Sequence, residues 1–153
     1  MMSDSSHADT AAQAKPLFVL GDHVQRQARL EGTWLNVFDV TVPSGGGTPL
    51  HSHASPEVFR ILEGTLTVQQ MTDSGLSETQ AQAGDIISIP GNVPHGYSNT
   101  GPDAVVFSAI IDKDMATYFE VADIGPQAEV ASDEEAERFL VAAGEHGIRI
   151  LAS

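Results

Sequence analysis

Three metal-type ligands, His51, His53 and Glu57, fall within seven residues of the stretch GGGTPLHSHASPEVFRILEG, from Gly45 to Gly64. A fourth, His95, lies in a second patterned stretch, GDIISIPGNVPHGYSN, from Gly84 to Asn99. Imidazole nitrogens with one carboxylate oxygen suit a divalent transition ion such as iron, manganese, nickel, copper or zinc. Such a ligand set leaves coordination positions open for water or a chelating substrate. One ion per chain is the expected cofactor. The chain has no cysteine, which excludes a thiolate site and a disulfide framework. No serine or cysteine nucleophile pattern appears either, so the metal is the expected source of chemistry.

The spacing dictates what must hold these residues. Residues i and i+2 of a strand point to one face, so an extended segment aims His51 and His53 at one point and turns Ser52 away. Pro56 has no N–H to give to a ladder. The break there lets Glu57 approach from the start of the next strand, EVFRILEG. His95 belongs to a separate strand, and a closed antiparallel barrel or a double-sheet jelly roll brings two such distant strands together. Strand parity puts Phe59 and Ile61 on the side of Glu57, with Val58, Arg60 and Leu62 facing away. Arg60 is therefore expected at the surface or an interface. Parity from His95 puts Tyr97 and Asn99 on its face. Tyr97 either donates a hydrogen bond to a substrate held at the metal or closes the barrel as a buried side chain.

Gly45, His51, His53, Glu57 and Gly64 match the first motif of the cupin superfamily at every position. Gly84, Pro90, His95 and Asn99 match the second, with Asn92 where the family has its second glycine. Asn tolerates the left-handed conformation better than most residues, so the turn is expected to survive. The chain thus resembles a small single-domain metal-binding cupin, over about Trp34 to Ile111. With its Tyr118–Phe119 segment and HGIRIL ending it resembles small quercetin dioxygenase-like cupins. The resemblance implies an all-β fold, a single cupin (double-stranded β-helix, or jelly-roll) barrel with a C-terminal helix. It implies His51, His53, Glu57 and His95 as metal ligands. It further implies a dioxygenase acting on an enol- or catechol-type, flavonol-like small molecule bound to the metal through oxygen. Glu57 would serve as base as well as ligand, Tyr97 would act with it, and Phe59, Ile61 and Tyr97 would line the pocket. A homodimer is also expected. The alternatives are a non-catalytic cupin that binds a small molecule, and a metal-dependent isomerase or lyase.

The remaining chain divides into a flexible arm over residues 1–15, a barrel over 16–121, and a linker with a C-terminal helix over 122–153. His7 lies in the arm and has no assigned role. Residues 16–20 (PLFVL) read as an edge strand of the kind that pairs with a neighbouring subunit. His23 reads as a surface histidine in a turn. Residues 34–42 read as a strand with Trp34, Asn36, Phe38 and Val40 on one face. Residues 43–49 form a glycine-rich turn, without the lysine of a phosphate loop. Residues 57–64 and 65–71 read as a hairpin turning at Gly64, and 76–82 as a polar edge strand. Residues 104–111 (AVVFSAII) are apolar enough for cover on both faces. Residues 114–121 read as a short helix or turn. Ser132 and Glu135 form a capping box for a helix over 132–145 that packs on the barrel or its partner, followed by the apolar tail 148–151.

The net charge is −14, from 7 basic and 21 acidic side chains. That balance repels nucleic acid and anionic membranes. No apolar run reaches bilayer length, and the N-terminus lacks a secretory pattern, so a cytoplasmic location is expected. The seven basic residues form no cluster for a sugar phosphate.

Overall fold

The computed structural model of the protein describes residues 15–123 and 141–151. The strands are β1 (Leu17–Val19), β2 (Asp22–Arg29), β3 (Asn36–Val42), β4 (His51–Ser52), β5 (Glu57–Glu63), β6 (Thr65–Thr72), β7 (Gly75–Gln82), β8 (Ile86–Ile89), β9 (His95–Ser98), β10 (Val105–Ile111) and β11 (Arg149–Ile150). A helix, α1 (Lys113–Ala122), follows β10. One sheet runs β1-β2-β3-β10-β5-β8 and the facing sheet runs β11-β4-β9-β6-β7. All pairings are antiparallel. This is the jelly-roll barrel that the two motifs require.

Period-two patterning builds the core. β3 buries Asn36, Phe38, Val40 and Val42, and β10 buries Val105, Phe107, Ala109 and Ile111. The two strands pair along their whole length. Leu66 and Val68 of β6 and Ala81 of β7 meet them from the facing sheet. Each large side chain buried this way contributes about 1.5–3 kcal/mol. Asp112 caps α1, accepting from the Met115 amide at 3.0 Å. The helix buries Met115, Ala116, Tyr118 and Ala122, so residues 114–121 are helical and close one end of the barrel.

Several expectations change. The chain at Gly64 does not make a hairpin: β5 pairs with β10 and β8, and β6 pairs with β7 and β9 in the other sheet. Gly64 adopts φ +81, and a Cβ there would lie 3.0 Å from Val105 Cγ2. It is a corner between sheets, where the backbone must leave the pleat beside a packed valine. Trp34 precedes β3 and is 61% exposed, because the Thr33 hydroxyl and amide close a turn onto Leu30. β1 is an edge strand, paired on one side with β2 of its own chain. β2 was not expected at all, being too polar (DHVQRQAR) for the apolar-run signal, and it carries His23 in a strand, stacked on Phe18 at 5.1 Å. The outward residues of β10 are only half-buried. The tail over 148–151 is partly a strand, with Ile150 paired to His51.

Residues 141–145 are helical and bury Ala142 and Ala143. The start of the expected 132–145 helix, with Ser132 and Glu135, lies outside the described residues. So do His7, residues 1–14 of the arm and the linker over 124–130. Among the described residues, no helix is long and apolar enough to cross a membrane.

Candidate metal centre

β4 and β9 bring His51 directly opposite His95 as cross-strand partners. His53 follows one residue past the end of β4. The loop over 90–94 folds against it, and the Asn92 amide donates to the His53 carbonyl at 2.7 Å. Asn92 sits at φ 64, as expected for the residue replacing a glycine. The neighbouring Gly91 is fixed by contact, since a Cβ there would lie 2.4 Å from the Ala54 carbonyl oxygen. Glu57 opens β5. The ring centroids of His51, His53 and His95 are 4.3, 4.9 and 5.3 Å apart in pairs.

Each imidazole is oriented by the backbone. His51 Nδ1 lies 2.8 Å from the Pro49 carbonyl oxygen, His53 Nδ1 2.7 Å from that of Ser55, and His95 Nδ1 2.8 Å from that of Val93. A carbonyl oxygen only accepts, so each Nδ1 carries the hydrogen and each Nε2 faces the others. Second partners of this kind fix both tautomer and ring direction in histidine metal sites. One ligand atom from each of the three histidines lies within 4.8 Å of the others. These three nitrogens would hold the ion, and imidazole nitrogen is a usual ligand of such metals. The donor set therefore fits a divalent transition ion.

Glu57 is not in that three-membered set. Its Oε2 lies 3.0 Å from His95 Nε2 and 3.4 Å from His53 Nε2, so the carboxylate faces both rings. Burial pushes the Glu57 carboxyl up, but the hydrogen bonds and charges of His53 and His95 outweigh it and hold the group at about 2. Burial pulls His53 down, yet Glu57 and the Ser55 carbonyl leave it raised overall. His51 is held at about 4, first by burial and then by the charge of His95. His51 is thus neutral near pH 7, as a metal ligand must be.

The centre forms one wall of a cavity of about 60 Å³. Phe59, Tyr97, Phe107, Val24 and Val40 line it, with Met115 and Phe119 from α1 and Ile148 from the C-terminal segment. Phe59 stands where parity placed it. Ile61 does not line the cavity; one pleat farther along β5, it is 1% exposed within the core. Arg60 is exposed. Tyr97 lines the cavity, but its hydroxyl donates to Asp22 Oδ2 at 2.5 Å. Its single proton is thereby directed at Asp22. Asn99 is structural, its amide donating to the carbonyls of Val42 and Asp103.

Asp22 was missed. It is 2% exposed and lines the cavity. A turn with Leu20 at φ 50 and Gly21 at φ 86 starts β2 at this residue. The left-handed conformation costs a leucine roughly 1–2 kcal/mol. Burial pushes the Asp22 carboxyl up to about 7, against the opposing hydrogen bond from Tyr97. The available signal was the alternation of Asp22 with Val24, both inward, too short to read without the sheet around it.

A family model described as a cupin domain matches residues 38–111. Comparison with curated proteins finds no significant match. Among solved structures, an RmlC-like cupin from Shewanella frigidimarina is 20% identical, covering 72% of this chain and 94% of that one, with a TM-score of 0.60. The polyketide cyclase RemF from Streptomyces resistomycificus is 18% identical, covering 73% and 80%, with a TM-score of 0.58. Oxalate decarboxylase from Bacillus subtilis is 16% identical over 73% of this chain and 30% of that one, with a TM-score of 0.61. These likenesses are of fold. With both motifs in place, a jelly-roll barrel around three convergent histidines and a matching domain model, residues 38–111 of this chain form a cupin domain.

Proposed function

We propose that this cupin is a metal-dependent dioxygenase of a small enol-type molecule. The observation that supports it best is the convergence of three histidine nitrogens on the wall of an apolar cavity. His51, His53 and His95 would hold the ion, and Glu57 would be its fourth, charge-balancing donor. When bound, the ion would supply open positions and Lewis acidity for an oxygen-bearing substrate. The chain's own residues orient the imidazoles, keep His51 neutral and exclude water with Phe59, Phe107 and Phe119. With its carboxyl held at about 2, Glu57 is a weak proton acceptor near neutral pH, which favours ligand over base.

The cavity sets the size of the substrate. An apolar cavity of about 150 Å³ accepts a benzene ring, and this one is about 60 Å³. An open-chain enol fits that space better than a catechol, and far better than a three-ring flavonol. Similarity to an oxalate oxidase solved with glycolate, 17% identical with a TM-score of 0.55, is in keeping with a small oxygen-rich ligand. No Lys or Arg is among the described lining residues, which disfavours an isomerase of sugar phosphates.

The test begins with metal content by mass spectrometry of untagged protein prepared without chelators. Near-stoichiometric iron, manganese, nickel or copper is expected. Oxygen uptake should then follow with open-chain diketones and hydroxyketones, and weaken through catechol to a flavonol. Zinc alone, or no oxygen uptake by the loaded protein with any of these, would overturn the oxygenase reading. The chain is also proposed to form a homodimer through the outer face of the six-stranded sheet, where Leu62 and Ile86 are exposed. A monomer mass by light scattering at micromolar concentration would refute that.

A further inference from the structure

The cavity has a second polar wall. Asp22 and Tyr97 stand in a lining otherwise made, away from the histidine centre and Thr48, largely of apolar side chains. Asp22 Oδ2 accepts the Tyr97 hydroxyl. Asp22 Oδ1 is buried and has no hydrogen-bond partner among the described residues. A buried carboxylate oxygen without a donor is costly and rare in folded proteins. The pair is also built with care. Tyr97 is gripped between Phe59 and Phe107, with ring centroids at 6.1 and 5.2 Å, and Asp22 is set by the strained Leu20–Gly21 turn.

We infer that Asp22 Oδ1 is the receptor for a hydroxyl group of the ligand, so that the cavity selects a small enol carrying a second hydroxyl, as in an enediol or hydroxyketone. The inference deepens the proposed function and rests on the cavity being its ligand site. One end of such a molecule offers oxygen to the histidine centre. The other donates its hydrogen to Oδ1, and the short carbon chain between them lies against Phe59 and Phe107. Tyr97 is the positioning residue: by occupying Oδ2 it leaves Oδ1 directed at the ligand. Burial sets the Asp22 carboxyl near 7, so an arriving hydroxyl readily stabilises its ionised, accepting form. A site built around such an acceptor discriminates strongly against analogues that lack the donor.

The test uses metal-loaded full-length protein and three small neutral chelators as probes: acetohydroxamate, glycolohydroxamate and hydroxypropionohydroxamate. They share the metal-binding group and differ in bearing no hydroxyl or one at two lengths. Binding is read by calorimetry and by the metal's absorption or magnetic resonance spectrum. At least one hydroxylated probe should bind roughly ten-fold or more tightly than acetohydroxamate, the scale of a hydrogen bond to a charged group. In Asp22→Asn that ratio should fall to about one. Tyr97→Phe should give an intermediate ratio, because Oδ1 remains but is no longer held. Acetohydroxamate binding by each variant reports that the barrel and its centre are intact. If acetohydroxamate perturbs the metal but the hydroxylated probes gain nothing, or if the gain survives in Asp22→Asn, the inference fails while the metal site stands. If no probe perturbs a loaded metal, the inference fails together with the proposed function.

Discussion

The two polar walls of this cavity solve the same physical problem in opposite ways. At the histidine wall every imidazole spends one nitrogen on a backbone carbonyl, at 2.7–2.8 Å, and turns the other inward. The buried polar atoms are satisfied or convergent. At the second wall a single carboxylate has one oxygen satisfied by Tyr97 and one left without a donor among the described residues. The electrostatics diverge accordingly. Glu57, surrounded by imidazoles, is held at about 2, whereas Asp22, surrounded by apolar groups, is raised to about 7. Burial acts on both carboxylates in the same direction. What differs is whether a positive partner is present to overcome it. A wall organised for a cation and a wall organised for a hydrogen-bond donor therefore lie in one small cavity.

The largest way to break this contrast is to remove a ligand from the first wall. His95→Ala takes away one nitrogen of the convergent set and the partner of Glu57. Metal affinity should fall by more than the ~10–100-fold typical of losing a supporting hydrogen bond. Mass spectrometry after dialysis should then find little metal in a barrel that still gives a β-type circular dichroism spectrum. Unchanged metal content would sink the ligand assignment.

The next effect is on pH and stability, where the two carboxylates should carry opposite slopes. Asp22 is raised in the folded state from 3.8 to about 7. Its stabilising contribution is therefore full below about pH 4 and is lost as pH rises through 7. By linkage the loss approaches ~4 kcal/mol, an order-of-magnitude figure. Asp22→Asn should flatten that part of the profile and be more stable than the parent at pH 8, as denaturant midpoints would show. Equal midpoints at pH 8 would mean that Asp22 is not desolvated as described.

Glu57 is depressed from 4.5 to about 2. Its contribution is present above about pH 4.5 and disappears as pH falls towards 2, amounting to roughly 3 kcal/mol. Glu57→Gln should be destabilised most at neutral pH and converge on the parent near pH 2, in protein stripped of metal. A constant offset across that range would contradict the charge argument.

The smallest effect concerns the loop that supports His53. Asn92 holds φ 64, and Asn92→Ala should cost about 1 kcal/mol, because alanine tolerates this region less well. Asn92→Gly should be near neutral, with metal binding preserved in both. A large loss of metal in the glycine variant would show that the Asn92 side chain, and not only its backbone amide, supports the centre.

Much of the first wall was legible because its signals are local. The two-residue spacing of His51 and His53, the break at Pro56 and the parity of Phe59 all follow from backbone geometry within a few residues. Asn92 was readable for the same reason, since left-handed tolerance belongs to the residue itself. The second wall was not legible. Asp22 sits in a polar strand whose inward face shows only when β3 pairs with it, and its distance in sequence from Tyr97 conceals their contact. Gly64 was read as a hairpin turn because a glycine between two strands permits either a hairpin or a corner. Only the packing of Val105 beside it decides for the corner. Ile61 shares the parity of Phe59, and strand direction alone does not say how far along the strand the cavity extends.

The sequence by itself thus determined the barrel class, the converging histidines and the turn that supports them, since motif spacing and backbone conformation are properties of short segments. Tertiary structure alone decided which sheet each strand joins, how α1 and Ile148 narrow the cavity, and that a lone aspartate faces it. Those outcomes depend on desolvation and on contacts between residues far apart in the chain, which no local pattern records.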